Sequence, residues 1–392
     1  MNNLRITNKM MSDTFLSDMN SNLEKLNTLE KQRDTGKNFS KPSDDPANVI
    51  RSMQLHTGIG VNKQYNKNIN TTINWLDVTD TALGQLGDQL GKIEEKLVSA
   101  GSPGYGPTER KAIKDELNEV IGNISQILNT SFDGRYIFAG TRVTSKPTDV
   151  TKDAKGNTRL VYVNKLGKNP LDNLNIAEQQ AMGNLTITKD TTGNIKDIKD
   201  ESGKLNITLK GKDVTIQGVT SKKEVNMNLE EVMDYTSLKE KLKAETSQGV
   251  VMDYNVNVTE IMNFENGGVD STIPELLQKI INHLDGNNDD GTPGDKDINY
   301  KELFNGDLES IQQATNNLLK IRSEVGAKQN RMDAAQKMNK ESNFNMTEIL
   351  SHTEDINLVE KTMEFAVLQS VYISSLQTSA KVLQPTLMDY LR

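Results

Sequence analysis

Apolar residues recur at helical spacing mainly near the two ends of the chain. Between residues 69 and 97 an apolar residue stands at every seventh position, and a threonine, leucine or isoleucine follows three places after each of the first four. A heptad pattern sustained over four repeats is typical of long helices that pack in a coiled coil. Similar seams cover residues 113–127 and 308–332. The predicted coiled-coil core consists of Ile69, Leu76, Leu83, Leu90, Leu97, Ile113, Leu117, Val120, Ile124, Ile127, Leu308, Ile311, Leu318, Val325 and Met332.

The outermost segments are also predicted to be helices, and the C-terminal one carries apolar residues on several faces. Such a helix must be buried on more than one side. Ordering about 40 residues at each end costs on the order of 60 kcal/mol, which two thin helices cannot offset alone. We therefore expect these helices to be mobile in the free protein and to order against neighbouring subunits. The predicted subunit interface consists of Leu16, Met19, Leu23, Leu26, Ile356, Val359, Met363, Phe365, Leu368, Tyr372, Leu376 and Leu383.

The middle of the chain has a different pattern. Runs such as RLVYV (159–163), KLNITLKGKDVTIQGV (204–219) and YNVNVTEI (254–261) alternate apolar and polar residues and predict strands. A short helix over 274–284 and a polar loop follow. The chain is thus predicted to be an α+β protein, in which an elongated α-helical coiled-coil domain is built from both termini and a small β-rich domain is inserted.

One break interrupts the N-terminal helical pattern. Pro42 disfavours helix at the residue before it, Asp45 is a good N-cap, and Pro46 fits the first helical position. The predicted loop and cap consist of Ser40, Pro42, Ser43, Asp44, Asp45 and Pro46. The predicted divisions are an N-terminal helix and loop (1–45), coiled-coil helices with a hairpin (46–145), the β-rich insert (146–300), a coiled-coil helix (301–345) and a C-terminal helix (346–392).

A hairpin is predicted directly after the seam that ends near residue 127. Asp133 and Gly134 suit a tight turn, and residues 135–139 are expected to form the returning strand. The residues that define this hairpin are Asp133, Gly134, Arg135, Tyr136 and Phe138.

Composition and motifs argue against catalysis. A net charge of −8 is unlike the basic face of a nucleic-acid-binding protein. The chain lacks cysteine, its three histidines are scattered, and no phosphate-binding loop is present, so no catalytic, metal or cofactor site is predicted. The loop from Asp285 resembles a calcium loop only at its start, because Asp290 and Lys296 replace the required Gly and Glu. A cleavable signal and membrane insertion are not expected.

Three motifs carry a resemblance to a known family. SKPSDDPAN (40–48), EVGAKQNRMDAA (324–335) and the closing LQPTLMDYLR (383–392) resemble the two terminal regions of bacterial flagellins and their relatives. The resemblance covers residues 1–145 and 300–392. Within that family, NTSFDGRYIFAGT (129–141) resembles the junction proteins between hook and filament more than flagellin itself.

The resemblance implies a structural, non-enzymatic protein of the bacterial flagellum that is exported through the flagellar secretion channel. The implied partners are further copies in a ring or helical lattice, the hook-side junction protein, flagellin and an export chaperone at the C-terminal helix. Residues 33–46 would link an inner and an outer helical layer. Two alternatives stay open: the chain is a flagellin, or its β insert acts as an adhesin or binding module.

Overall fold

The computed structural model describes residues 8–100, 106–153, 155–189 and 195–382. They form two compact units, one from residues up to Tyr65 and from Met338 on, the other from Asn66–Lys337. The predicted α+β class is confirmed, since long helices lie near both ends and antiparallel strands lie between them.

In chain order the elements are α1 (Asn8–Thr35), α2 (Pro46–Ala100), α3 (Pro107–Leu128), β1 (Ser131–Phe132), β2 (Arg135–Tyr136), β3 (Thr148–Lys152), β4 (Thr158–Tyr162), α4 (Ile176–Ala181), a 3-10 turn (Met182–Asn184), β5 (Leu185–Lys189), β6 (Ile195–Asp200), β7 (Leu205–Lys210), β8 (Asp213–Gly218), β9 (Glu224–Asn228), α5 (Leu229–Thr236), β10 (Lys243–Ser247), β11 (Val250–Asp253), α6 (Val258–Met262), β12 (Asn263–Asn266), β13 (Val269–Thr272), α7 (Ile273–Leu284), α8 (Lys296–Phe304), α9 (Gly306–Glu354) and α10 (Leu358–Val382).

The helical core of the second unit is built from parts of α2, α3 and α9. Most residues of the predicted seams are buried there, whereas Ile127 and Leu308 are half-buried and pack against the same core. Polar pairs lie beside the apolar seam. Arg322 of α9 donates to both carboxylate oxygens of Asp80 of α2, at 2.8 and 3.1 Å. This two-point contact favours one register of the two helices, because a shift by one turn would separate the pair.

An aromatic cluster joins α2 to the strands. Trp75 packs edge to face against Phe132 of β1 and Tyr254, with ring centroids 6.2 and 5.7 Å apart. Aromatic pairs at these distances and angles are attractive beyond the area they bury. Because the chain contains a single tryptophan, the fluorescence of Trp75 reports on the folding of this unit.

The insert consists of antiparallel hairpins, one three-stranded sheet (β7-β8-β9) and short helices. Several of the predicted strands are present, but the prediction of a strand over 254–261 is wrong because α6 begins at Val258. Asn257 and Glu260 form a capping box, in which each side chain accepts a hydrogen bond from the other residue's backbone N–H. Reciprocal capping of this kind favours a helix start, which the alternating pattern concealed.

The hairpin after α3 is shorter than the sequence indicated. Asp133 and Gly134 form its turn with φ of 51° and 73°, and β2 ends at Tyr136. Phe138 is buried but lies beyond the strand. Here the chain turns towards the insert, where buried Arg142 donates to Asp234 at 2.9 Å and to a backbone carbonyl at 2.8 Å.

The last two helices meet at a different place from the predicted division at residues 345 and 346. α9 continues to Glu354, and the break lies at residues 355–357. The segment between Ala327 and Glu354 contains neither glycine nor proline, so nothing in it ends the helix earlier. Asn357 then caps α10 by accepting a hydrogen bond from the backbone N–H of Glu360 at 3.4 Å.

Candidate assembly surface

The first unit contains a pair of helices, α1 and α10, packed against each other. On the contact side, Phe365, Leu368 and Tyr372 are half-buried, and Leu26 is buried. The guanidinium carbon of Arg33 lies 4.6 Å from the centroid of the Phe365 ring, within the range of a cation–π contact. Thus only part of the apolar surface of α10 is covered by α1.

A second apolar face of α10 is open to solvent. Val359, Met363, Val367 and Val371 are 71%, 62%, 64% and 45% exposed. Residues four apart lie on neighbouring positions of one helix face, so these side chains form a continuous stripe. We call these four residues the α10 stripe. Scattered exposed apolar residues are ordinary, but an aligned set on one helix is typical of a surface that another molecule covers.

A groove runs between α1 and α10 beside this stripe. Its volume is about 900 Å³, and apolar side chains such as Leu29, Val367 and Leu368 contribute to its lining. Charged side chains of Glu24, Lys25 and Glu364 also line it. An apolar groove with charged flanks is the shape and chemistry that an amphipathic helix fills.

The remaining predicted interface residues fall into three groups. Leu16, Leu23 and Leu376 are exposed, whereas Met19 and Ile356 are half-buried. Leu383 lies outside the described residues. Val367 and Val371 of the stripe were not among the predicted residues, although they continue the four-residue spacing of Val359 and Met363.

The breaks between helices at the two ends of the chain are joined by a cluster of polar contacts. Lys37 Nζ donates to Glu354 Oε2 at 2.8 Å and to Asp355 Oδ1 at 2.7 Å. His56 Nε2 lies 2.9 Å from Glu354 Oε1, and Ser52 Oγ donates to the same oxygen. We call this set of five residues the Glu354 clasp. It connects residues that are about 300 positions apart in the sequence.

Backbone bonds reinforce the clasp. The N–H of Asn38 donates to the carbonyl of Glu354 at 2.6 Å, and that of Ile356 donates to the carbonyl of Gly36 at 3.1 Å. Gly36 has a φ of 70°, which a glycine adopts without strain. The chain therefore makes a short antiparallel bridge at the point where both helices end.

Charge and hydrogen bonding act together on the carboxylate at the centre of the clasp. Burial acts to raise the pKa of Glu354, but the hydrogen bonds from Lys37, Ser52 and His56 outweigh it and lower the pKa. Hydrogen bonds to Asp355 and Glu354 raise the pKa of Lys37 in turn. Both groups are therefore held in their charged forms.

The loop before α2 is organised by two carboxylates. Asp44 accepts hydrogen bonds from the backbone N–H groups of Ser40 and Lys41 at 3.1 and 2.9 Å. Asp45 caps α2 by accepting from the N–H of Asn48 at 3.0 Å. These backbone hydrogen bonds lower the pKa of both carboxyl groups, so the loop keeps its shape while they are ionised.

The described part of the chain contains neither a metal-binding cluster nor a membrane-spanning helix. Within the four described ranges, no group of three or more acidic or histidine side chains is arranged to hold a metal ion. In the calcium-like loop, Asp285 instead accepts from Lys114 at 2.8 Å, and Asp289 contacts His283. None of the described helices combines the length and hydropathy that a bilayer-spanning segment requires.

The two terminal regions of the chain come together in one unit through α1, α10 and the Glu354 clasp. Residues 6–143 match the family model of the bacterial flagellin N-terminal helical region, which confirms the resemblance indicated by the sequence motifs. Flagellar hook-associated protein 3 of Salmonella typhimurium is 26% identical over 147 residues, covering 37% of this chain and 46% of that protein. A flagellin of Clostridium tyrobutyricum is 24% identical over 139 residues, covering 35% of this chain and 37% of that protein.

These sequence matches span less than half of each relative. A solved structure of a flagellar hook-associated protein from Vibrio parahaemolyticus, whose function its description gives as unproven, is similar over 80% of this chain and all of that chain. The TM-score is 0.50 and the sequence identity is 15%, so this similarity supports the fold alone.

Proposed function

We propose that the chain is a structural subunit of the bacterial flagellum, located outside the cell at the junction between hook and filament. The α10 stripe carries this proposal, because four aligned apolar side chains stay exposed in a single chain. Burying a valine or methionine side chain contributes about 1.5–3 kcal/mol, so contact with a neighbouring copy would stabilise both molecules. The junction position is supported by the match to a hook-associated protein 3.

The proposed partners follow from the two ends of such a junction. Copies of the chain would pack side by side in a ring or helical lattice through α1 and α10. One end of the ring would bind the hook-side junction protein and the other would bind flagellin. Before export through the flagellar secretion channel, a chaperone would cover the C-terminal helix, whose apolar surface would otherwise favour aggregation.

The Glu354 clasp has a natural role in this scheme. In this scheme α1 and α10 would supply the inner layer, while α2, α3 and α9 would supply the outer layer. The chain passes between these helices at residues 36–45 and 355–357. The clasp would fix the two crossings against each other, and the insert over 146–300 would face outwards.

Deletion and complementation in a motile bacterium that encodes this protein test the proposal. Loss of the gene is expected to leave hooks in place, remove filaments and release flagellin into the medium. Deleting residues 357–392 should abolish complementation while Trp75 fluorescence still reports a folded second unit. Val367→Asp should also impair complementation, because it places a charge on the α10 stripe. Normal swimming with the truncated protein would refute the proposal.

A matched control is available on the insert. Leu166 is 78% exposed, so Leu166→Asp makes the same kind of change outside the terminal helices. It should complement like the wild type. Equal losses in both variants would show that added charge, rather than the position on α10, causes the defect.

The match to a Clostridium flagellin favours a second candidate, in which the chain forms the filament itself. Immunogold labelling separates the two functions. A short band at the filament base supports the junction protein, whereas label along the whole filament supports a flagellin.

A further inference from the structure

A buried histidine links the insert to the start of α9. His283 lies in the last turn of α7, and its side chain is 3% exposed. Its Nδ1 lies 2.6 Å from Asp307 Oδ2, and its Nε2 lies 2.8 Å from Asp289 Oδ1. Both ring nitrogens thus face a carboxylate oxygen at hydrogen-bond distance.

When both carboxyl groups are ionised, this geometry suits only the charged imidazole. An imidazolium donates through both nitrogens, whereas a neutral imidazole has one N–H and one lone pair. After loss of a proton, one of the two carboxylates would face a lone pair across a distance shorter than 3 Å. That contact would be repulsive, and the carboxylate involved would move if it could reach water.

The two carboxylates differ in how easily they can move away from His283. The side chain of Asp307 is 5% exposed, whereas that of Asp289 is 60% exposed. If Asp307 separated from His283, its carboxylate would lose its main hydrogen-bond donor while it stayed almost fully buried. Such a loss is costly for a charged group. Asp289 can turn to solvent while it keeps Lys279, whose Nζ lies 3.2 Å from its other oxygen. The remaining proton should therefore stay on Nδ1, between His283 and Asp307.

We propose that His283 is a pH-operated latch for the loop formed by residues 285–295. In its protonated form His283 binds Asp289 and holds the loop against α7. In its neutral form it keeps Asp307 and releases Asp289, so the loop loosens while α7 and α9 stay joined.

The charges of Asp307 and Asp289 favour the protonated form of His283, in which the latch is closed. Glu302 of α8 adds negative charge near Asp307, and Lys279 of α7 adds positive charge near Asp289. Burial acts to lower the pKa of His283, but the hydrogen bonds and charges of Asp307 and Asp289 outweigh it and raise the pKa above 6.5.

Charges on the other elements packed against α7 are engaged elsewhere. Lys114 of α3 pairs with Asp285, Lys204 pairs with Glu275 of α7, and Arg159 of β4 pairs with Asp153. A group whose pKa is raised on folding stabilises the folded state at low pH, and this contribution fades as pH rises through the folded pKa. The latch is therefore closed in acid and opens on the alkaline side of the His283 titration.

Other bonds limit how far the loop can open. The Nδ2 of Asn282 donates to the carbonyl of Asp289 at 2.9 Å, and Lys155 donates to the carbonyl of Gly291 at 3.3 Å. We therefore expect a change in loop protection of about tenfold, the size of one hydrogen bond to a charged group, rather than complete unfolding.

Hydrogen exchange of the full chain between pH 5.5 and 9 tests the latch. Protection factors, corrected for the intrinsic pH dependence of exchange, are measured for peptides covering 285–295. The titration of His283 is followed by NMR with labelled histidine. Only three histidines occur in the chain, so His56→Gln and His352→Gln assign the signals. In the wild type, protection should fall about tenfold over the pH range in which His283 titrates.

Two neighbouring variants make the test specific. In Asp289→Asn the amide can accept from the charged ring or donate to the neutral ring, so the step in protection should disappear. In Asp290→Asn the step should remain, because Asp290 binds Thr292 rather than His283. Trp75 fluorescence verifies that each variant is folded. Protection that is independent of pH while His283 titrates, or a full step in Asp289→Asn, would overturn the latch.

Discussion

Replacing Glu354 by glutamine is the most direct perturbation of the clasp. The change preserves the size of the side chain and removes its charge. One carboxylate oxygen becomes an NH₂ group that can only donate. It would face either the ammonium of Lys37 or the hydroxyl and ring of Ser52 and His56, all of which now donate to Glu354.

The size of the effect follows from the exposure of each partner. A hydrogen bond to a charged group contributes about 1.5–3 kcal/mol when it is buried. The side chain of Glu354 is 12% exposed, but those of Lys37 and His56 are 44% and 60% exposed. Solvent screening lowers the contribution of such partly exposed pairs. We therefore expect a loss of about 1–2 kcal/mol, or about a five- to thirty-fold shift in the opening equilibrium.

Hydrogen exchange at pH 7 measures this loss where it occurs. Amides of residues 36–38 and of the last turns of α9 should exchange about five- to thirty-fold faster in Glu354→Gln than in the wild type. Trp75 lies in the other unit, so its fluorescence transition should be unchanged. Glu348→Gln is the control, since it makes the same chemical change at an exposed site of the same helix.

The pH dependence of hydrogen exchange gives a second test of the clasp. The pKa of Glu354 is lowered from its ordinary value of 4.5, so the clasp stabilises the fold above that value and weakens as pH falls through the folded pKa. The difference between wild type and Glu354→Gln should therefore shrink in acid. If the two proteins exchange alike at pH 7, or if Glu348→Gln exchanges as fast as Glu354→Gln, the clasp does not hold the helix ends.

Two further predictions concern the second unit. Leu83→Ala leaves a cavity in the fully buried seam and should lower the free energy of unfolding by about 2–5 kcal/mol. Leu319→Ala, at a site 55% exposed, should change it by less than about 0.5 kcal/mol, with denaturation followed by Trp75 fluorescence for both. Gly140→Ala should destabilise strongly, because the added Cβ would overlap the backbone carbonyl that follows α5. Gly134 has a similar positive φ, but an added Cβ there would meet open space. The loss of stability in Gly134→Ala should therefore be smaller and should measure the strain of the left-handed backbone alone.

The seams of the coiled coil could be predicted from sequence because their information is local. Leu76, Leu83 and Leu90 repeat every seven residues, and this spacing alone fixes one face of a helix. The same holds for α7, whose apolar spacing gave bounds within one residue of those observed. Elsewhere in the chain, two local sequence signals favour different secondary structures. The alternation around residue 257 favoured a strand, but the capping box at Asn257 and Glu260 formed a helix.

The polar sites could not be predicted, because their members are far apart in the chain. Glu354 meets Ser52 only after both ends have folded into one unit. Similarly, His283 and Asp307 are separated by 24 positions and a further helix. Spacing within a sequence carries no signal for such pairs. One local signal was available for the clasp. Glu354 and Asp355 place two carboxylates at the end of a helix, where negative charge is unfavourable unless a cation lies nearby.

Apolar periodicity has two different outcomes in this chain, and the difference bears on assembly. The α2 seam is covered by other parts of the same molecule, whereas the α10 stripe is not. Covering the exposed fraction of the four stripe residues would contribute about 4–7 kcal/mol. Association of two proteins costs about 4–15 kcal/mol in lost translational and rotational freedom. This cost extends well above the gain from one stripe contact, so contacts with several neighbours favour a stable assembly more than a single pairwise contact does. In the proposed lattice, a subunit that joins several neighbours at once would lose that freedom only once, so growth at the end of an existing lattice would be favoured.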